Sequence, residues 1–308
     1  MSVRHLITLL DWSRDEIEEV LSRAHALKEE VKEGQLNHTL PDRTLALVFE
    51  KASMRTRVSF EVGMTQLGGT SVYLSKDDVQ LGKREPVKDG ARVLARYVDG
   101  VAARVYEHEV VEELAEYSSI PIINALSDFA HPCQALADVM TLQEQFEDLT
   151  DVTVAYIGDA NNVARSLAVA CARLGVDYRI AAPEGYQFDA GFAERVNDLA
   201  SGTKSQFTVL ESPAEAAEGA HALYTDTWVS MGQEDEAETR RRLFRGYCIN
   251  GELLDEADDA CVVLHCLPAY RGYEITNDVI EGERSAVFDQ AENRLHAQRA
   301  LLELLMSG

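Results

Sequence analysis

The chain lacks most of the features that would mark a secreted, membrane-spanning or nucleic-acid-binding protein. It has five cysteines in 308 residues, at 133, 171, 248, 261 and 266. That is too few for a disulfide scaffold of this length, and they form neither a C-x-x-C pair nor a His–Cys cluster at zinc spacing. They read as reduced thiols packed as small hydrophobes, and no metal site is expected. No apolar run reaches the ~18 residues that a membrane-spanning helix needs. The first residues, with Arg4 and His5, lack the apolar stretch and small-residue cleavage site of a secretory leader. A soluble cytoplasmic protein is expected. Positive charge is scarce as well: 29 Lys and Arg stand against 53 Asp and Glu, for a formal net charge of -24. Such a surface repels phosphate backbones and anionic lipid, which argues against nucleic acid and membranes as partners. Only seven of the basic residues are lysine. Excess carboxylate repels itself unless salt screens it, over a length of about 3 Å at 1 M. The charge therefore reads as adaptation to high intracellular salt, the alternative being an acidic protein in an ordinary cytoplasm.

What is present is an ordinary globular balance, 46% apolar and 27% charged, in a chain long enough for two domains of ~150 residues. Ser13 and Glu16 form a capping box ahead of Ile17, Val20, Leu21, Ala24, Leu27 and Val31, which recur at helical spacing. After Pro41, strands alternate with helices. Strands are predicted at Leu45 to Phe49, Thr70 to Leu74, Gly100 to Val105 and Pro121 to Ala125. Helices are predicted at Val58 to Leu67, from near Pro86, and from Pro132. A second series starts at Val152 to Ile157, followed by a helix through Val163, Leu167, Ala170, Cys171 and Leu174. Further strands are read at Tyr178 to Ala182, Phe207 to Leu210, Ala222 to Thr225 and Val262 to Cys266, and a last helix at Ala291 to Met306. Alternation of this kind implies parallel sheets with helices on both faces. The acidic stretch Glu144 to Asp151 is the best domain boundary. There is no internal repeat and no low-complexity tract.

In such sheets ligands bind beyond the carboxyl ends of the strands. That rule selects Ser53 to Arg57, Arg104, Ser127 to Gln134, Gly158 to Asn162, Asp226 to Gly232 and His265 to Pro268. Ser53-Met54-Arg55-Thr56-Arg57 follows a strand and opens a helix, so free N–H groups, hydroxyls and guanidiniums suit a phosphate. A capped helix carrying two surface arginines is the plainer reading. Arg104 ends an apolar strand and needs an anion, which could be a protein carboxylate. Pro132 at the first helical position puts His131 at the cap and Gln134 in the first turn. Gly158-Asp159-Ala160-Asn161-Asn162 lies at a strand-to-helix turn but lacks G-x-G-x-x-G spacing, which speaks against a dinucleotide and for a polar small-molecule contact. Asp226 offers a carboxylate suited to an ammonium group, and Cys266 a thiol. Each could equally be ordinary loop polarity.

Together these segments resemble the aspartate and ornithine carbamoyltransferase family, and its ornithine branch along nearly the whole chain. In that family a segment like Ser53 to Arg57 and one like His131-Pro132-Cys133-Gln134 bind carbamoyl phosphate. The second position of the first segment is usually Thr or another small residue, so for Met54 only the backbone amide carries over. Segments like Asp226 to Gly232 and His265 to Pro268 separate the ornithine branch from the aspartate branch. Gln80-Leu81-Gly82 matches an element that reaches a neighbouring subunit's site. The Gly-Arg-Gly-Glu that commonly continues it reads Gly82-Lys83-Arg84-Glu85 here. Glu292-Asn293-Arg294 matches the family's final active-site arginine.

The resemblance implies two doubly wound parallel-sheet α/β domains with the active site in the cleft between them, and a trimer as the basic assembly. One domain would span 1–147, completed by the C-terminal helix 291–308, and bind carbamoyl phosphate; the other, 148–290, would bind ornithine. The phosphate would be held by Ser53, Met54, Arg55, Thr56 and Arg104, with Gln80 of an adjacent chain. His131, Arg104 and Thr56 would polarise the carbamoyl oxygen, Gln134 and the Leu267 carbonyl would hold its amine, and Cys266 would also contact carbamoyl phosphate. Arg294 would act where negative charge develops, an effect commonly worth ~3 kcal/mol per donor. Asn162, Asp226, Ser230 and the Met231 backbone would hold the α-amino and α-carboxylate ends of ornithine. Cys266 and Asp226 would position and deprotonate its δ-amine. Citrulline and phosphate would be the products, with no metal or organic cofactor. Other readings are a different amine (putrescine, a longer diamino acid or an N-acylated ornithine), a non-catalytic ligand-binding regulator, and a nicotinamide-dependent dehydrogenase.

Overall fold

The computed structural model describes residues 3–307 apart from 80, 83, 84, 147 and 231. The chain forms two units, Met1–Met140 with Glu292–Gly308, and Thr141–Ala291. Each is built on one sheet whose strands all pair in parallel.

In the first unit, helix α1 (Arg14–Lys32) starts at the Ser13 capping box: Ser13 Oγ accepts from the Glu16 amide, and Glu16 accepts from the Ser13 amide. Ile17, Val20, Leu21, Ala24 and Leu27 are its buried face. There follow β1 (Thr44–Phe49), α2 (Met54–Gln66), β2 (Thr70–Ser75), α3 (Val87–Leu94), β3 (Gly100–Arg104), α4 (His108–Glu116), β4 (Ile122–Leu126) and α5 (Pro132–Gln145). The sheet order is β2-β1-β3-β4. Strand β3 is buried along its length and β1 almost so, because helices cover both faces of a parallel sheet; that is why both read as unbroken apolar runs. The chain order switches sides between β1 and β3, where ligand sites form. Phe49 pairs with Arg104, so the segment after β1 and the guanidinium ending β3 emerge at the same edge.

The second unit contains β5 (Thr153–Ile157), α6 (Asn162–Leu174), β6 (Asp177–Ala181), α7 (Ala190–Thr203), β7 (Phe207–Leu210), α8 (Pro213–Ala217), β8 (Ala222–Thr225), α9 (Ala237–Leu243), α10 (Gly251–Asp255), β9 (Val262–His265) and α11 (Asn277–Ile280). The last helix, α12 (Val287–Met306), starts in this unit and ends in the first. It begins at Val287 rather than Ala291 because Val287 packs into the apolar core with Val263, Val279 and Ile280. The sheet order is β7-β6-β5-β8-β9. Its switch point lies between β5 and β8, so the Gly158 turn and the Asp226 loop flank one crevice position. Thr225 pairs with His265, which puts Asp226 and Cys266 side by side at the sheet's carboxyl edge.

Candidate functional site

The phosphate-type segment of the first unit is a true helix start. Ser53 caps α2: its Oγ accepts from the Thr56 amide at 3.3 Å and donates to Thr56 Oγ1 at 3.1 Å. The Met54 side chain is 72% exposed, so its amide, not its side chain, is what the helix start offers. The two arginines part company. Arg57 pairs with Glu61 at 2.9 Å and lies over the Tyr73 ring, whereas Arg55, half-buried, is near enough to bear on His131. Helix phase alone separates them.

Behind that helix start lies a buried polar network. Arg294, from the far end of the chain, donates from Nη1 to Gln134 Oε1 at 2.8 Å and from Nη2 to Thr56 Oγ1 at 3.3 Å. Its Nε donates to Gln298 Oε1 at 2.9 Å, and Gln298 in turn donates to Ser59 Oγ at 2.7 Å. Gln134 Nε2 donates to Asp138 Oδ1 at 2.8 Å. Thr56, Arg104, His131, Gln134, Asp138 and Arg294 are all buried. The His131 imidazole is held well below its ordinary range by burial, and then by the Arg294, Arg104 and Arg55 guanidiniums. A neutral imidazole among three guanidiniums is a donor-rich place for an anionic, carbonyl-bearing ligand. His131 itself is presented by a turn braced from below: Asn124 Nδ2 donates to Ser127 Oγ at 3.1 Å, and His108 shares a 2.7 Å hydrogen bond with the same hydroxyl. Gln80, expected to reach a neighbouring site, lies outside the described residues.

In the second unit the Asp226 carboxylate is the centre. Oδ1 accepts from the Cys266 thiol at 3.0 Å and from the Thr227 amide at 2.7 Å, while Oδ2 accepts from Asn161 Nδ2 at 2.8 Å. Burial and the Asp226 charge raise the nearby Tyr156 phenol well above its ordinary range. Asn161 is thus the asparagine that touches Asp226; it also caps α6 through Oδ1. Asn162 lies one residue further, with its own Oδ1 accepting from the Val163 amide at 3.0 Å. Ser230 is held by Gln233, whose Oε1 accepts from the Ser230 amide at 3.1 Å, and Met231 lies outside the described residues. Leu267 has a left-handed backbone, φ 56°, and its amide donates to His265 Nδ1 at 2.8 Å.

Asp226, His265 and Cys266 bring potential metal-ligand atoms within 4.8 Å of one another. The imidazole is poorly placed to serve. Its Nδ1 already accepts from the Leu267 amide, which leaves Nε2 protonated and donating to Glu274 Oε1 at 3.2 Å. A cation there would have to break one of those bonds.

Arg240 went unread in the sequence. It sits on α9 with a side chain 7% exposed and donates to Asp159 at 2.7 Å, to Glu236 at 2.9 Å and to the Trp228 carbonyl at 3.3 Å. Its guanidinium also lies over the Tyr186 ring. One side chain thereby ties the Gly158 turn to the Asp226 loop. The only local signal was Glu236 four residues ahead of it, which Arg241 and Arg242 mask.

Residues 4–144 match the family model described as aspartate/ornithine carbamoyltransferase, carbamoyl-P binding domain, and residues 150–305 match its Asp/Orn binding domain. Over 305 residues the chain is 49% identical to an ornithine carbamoyltransferase of Halalkalibacterium halodurans, covering 99% of this chain and 96% of that one. It is 48% identical to an anabolic ornithine carbamoyltransferase of Pyrococcus furiosus, covering 99% and 97%. The fold is similar to the solved ornithine carbamoyltransferase structure from Pyrococcus furiosus, with a TM-score of 0.97 at 48% identity over 100% of this chain and 98% of that one. It is also similar to that of ornithine transcarbamoylase from Giardia lamblia, with a TM-score of 0.90 at 30% identity over 99% of each.

Proposed function

The chain belongs to the aspartate/ornithine carbamoyltransferase family, and we propose that it transfers the carbamoyl group of carbamoyl phosphate to the δ-amine of ornithine, giving citrulline and phosphate. The observation that carries this reading is the Asp226–Cys266 pair of the ornithine-type segments, 3.0 Å apart, in a chain whose other unit surrounds a neutral His131 with Arg55, Arg104 and Arg294.

The phosphate is bound by the amides and hydroxyls of Ser53 to Thr56 together with Arg55 and Arg104. His131, neutral at working pH, donates to the carbamoyl oxygen rather than titrating, and Arg104 and Thr56 share that oxygen. Gln134 Oε1 and the Leu267 carbonyl accept from the carbamoyl NH2, with Cys266 alongside. Asp226 and Asn161, with Asn162, Ser230 and Met231 of the same segments, hold the amino-acid end of ornithine, and Asp226 with Cys266 orients the δ-amine. The neutral amine attacks the carbonyl carbon, and the new C–N bond gives a tetrahedral intermediate whose oxyanion faces His131 and the guanidiniums. The C–O bond to phosphate then breaks, and the departing phosphate takes the proton that the amine loses. Arg294 bears on the negative charge that develops.

Three finer elements of the proposal rest on the residue pattern and the charge. The working unit is a homotrimer in which Gln80 completes a neighbour's site. The net charge of -24 suits high intracellular salt, which screens carboxylate repulsion. The compartment is the cytoplasm. Among the described residues no helix is long and apolar enough to cross a membrane.

The test is citrulline formation from carbamoyl phosphate with ornithine, putrescine and aspartate in parallel, at low and multi-molar salt. Turnover with ornithine supports the assignment, and turnover that requires high salt supports the reading of the charge. Turnover with putrescine alone would overturn the role given to the Asp226 loop. Folded protein inactive with every amine would overturn catalysis itself.

A further inference from the structure

We propose that Asp138 is a positioning residue that locks the side-chain amide of Gln134 in one of its two orientations, and so makes the site select an acyl phosphate bearing NH2. The proposal rests on the functional reading above, in which Gln134 faces the carbamoyl amine.

The two ends of a glutamine amide have nearly the same shape and opposite hydrogen-bonding character, so a half-turn about the last bond converts an acceptor surface into a donor surface. A site that recognises NH2 must prevent that half-turn. Gln134 and Asp138 lie one turn apart on α5, where i and i+4 side chains meet, and both are buried, 2% and 0% exposed. Gln134 Nε2 donates to Asp138 Oδ1 at 2.8 Å, and Gln134 Oε1 accepts from Arg294 Nη1, also at 2.8 Å. A guanidinium only donates. Turning the amide over would set N–H against N–H at Arg294 and oxygen against oxygen at Asp138. Both neighbours therefore enforce one orientation, which leaves one lone pair of Oε1 for the substrate's amine.

The two neighbours are not equivalent in turnover. Arg294 also donates to Thr56 and Gln298, and its hydrogens are the ones drawn toward charge developing on the substrate. Asp138 lies beneath Gln134 and makes no contact with substrate in this scheme. It is the partner that keeps the amide set while Arg294 responds. A methyl group in place of NH2, as in acetyl phosphate, offers Oε1 no donor, so the amide's orientation affects carbamoyl phosphate and leaves acetyl phosphate nearly indifferent.

The experiment compares wild type with Asp138→Leu, which keeps the branched shape and offers Gln134 Nε2 no acceptor. The KM for carbamoyl phosphate, the KM for ornithine and the competitive Ki of acetyl phosphate and of inorganic phosphate are measured, with thermal melting as the check of folding. Loss of the lock is expected to raise the carbamoyl phosphate KM about tenfold, the scale of one mispaired buried group. Both Ki values and the ornithine KM should stay within about twofold, below the scale of one lost hydrogen bond. In a Gln134→Met background Asp138→Leu should no longer alter the ratio of carbamoyl phosphate KM to acetyl phosphate Ki, since the group that Asp138 orients is gone. Asp138→Ala serves if the leucine variant does not fold. Equal weakening of all ligands, or no change in that ratio, would overturn the proposal while leaving the functional reading intact. A wild-type chain that forms no citrulline would overturn both.

Discussion

The Cys266 thiol donates to Asp226 Oδ1 over 3.0 Å, and this contact joins the ends of two neighbouring strands, β8 and β9. Because Asn161 and the Thr227 amide share the same carboxylate, Asp226 is oriented from three sides before any amine arrives. Cys266→Ala should therefore leave the carboxylate in place but less well aimed. We expect the ornithine KM to rise and kcat to fall, together about tenfold to a hundredfold in kcat/KM, the scale of one to two lost polar contacts. Steady-state kinetics with ornithine varied will show it, and unchanged constants would remove the thiol from the site.

Removing a guanidinium from the other unit should act on the other substrate. Arg55→Ala is expected to lower kcat/KM for carbamoyl phosphate by about 10²–10³, as loss of a transition-state donor does. Ornithine saturation should be much less affected. Wild-type-like turnover in this variant would refute the placement of the phosphate.

The His131 imidazole is depressed from its ordinary 6.5 by burial first and by Arg294, Arg104 and Arg55 next. As pH falls, the unfolded chain therefore takes up this proton before the folded one does. The stability it contributes is complete above pH 6.5 and is lost as pH drops below that value toward the folded pKa. His131→Asn should lose Tm less steeply than the parent as pH falls below 6.5. Burial lowers His5, His108 and His296 as well, so the slope should shrink rather than vanish. Melts at fixed ionic strength test it, and identical slopes would count against a buried neutral His131.

Thiol reactivity should single out one cysteine. Burial pushes Cys133 and Cys261 up to about 12 and Cys248 up to about 11, and Cys171 is fully buried. Cys248 and Cys266 are both partly accessible, and of the two it is Cys266 that lies beside the proposed ornithine groups. Alkylation at pH 8 should reach Cys266 first, with ornithine slowing it, as read by peptide mapping. Faster labelling at Cys133 would contradict the packing of α5.

Arg240 is predicted to matter to ornithine without touching it. Its ion pair with Asp159 is buried, at 7% and 13% side-chain exposure, and removing one partner of such a pair costs about 3 kcal/mol because the other charge is stranded. Arg240→Met should lower Tm and raise the ornithine KM, leaving the binding of inorganic phosphate unchanged. Equal losses for both substrates would reduce Arg240 to a general structural role.

Local chemistry made much of this molecule legible without coordinates. The Ser13–Glu16 capping box, the buried runs of β1, β3 and β5, and Pro132 opening α5 each depend on neighbours a few residues apart. The segments at the strand ends were legible for the same reason, since a change from apolar to polar residues marks where a strand leaves a parallel sheet. Helix phase and long-range packing were not. Arg55 and Arg57 look alike in a linear chain, and only the turn of α2 sends one toward Glu61. Asn161 and Asn162 are identical in kind, and only the capping geometry of α6 gives the first of them to Asp226. Arg240 stands among arginines and is distinguished solely by burial. The Gln134–Asp138 spacing was visible in the sequence, but the partner that makes it meaningful, Arg294, lies 160 residues further along. A hydrogen bond of that separation has no signature in either segment; it exists because α12 returns to the first unit, and only the tertiary structure decides that.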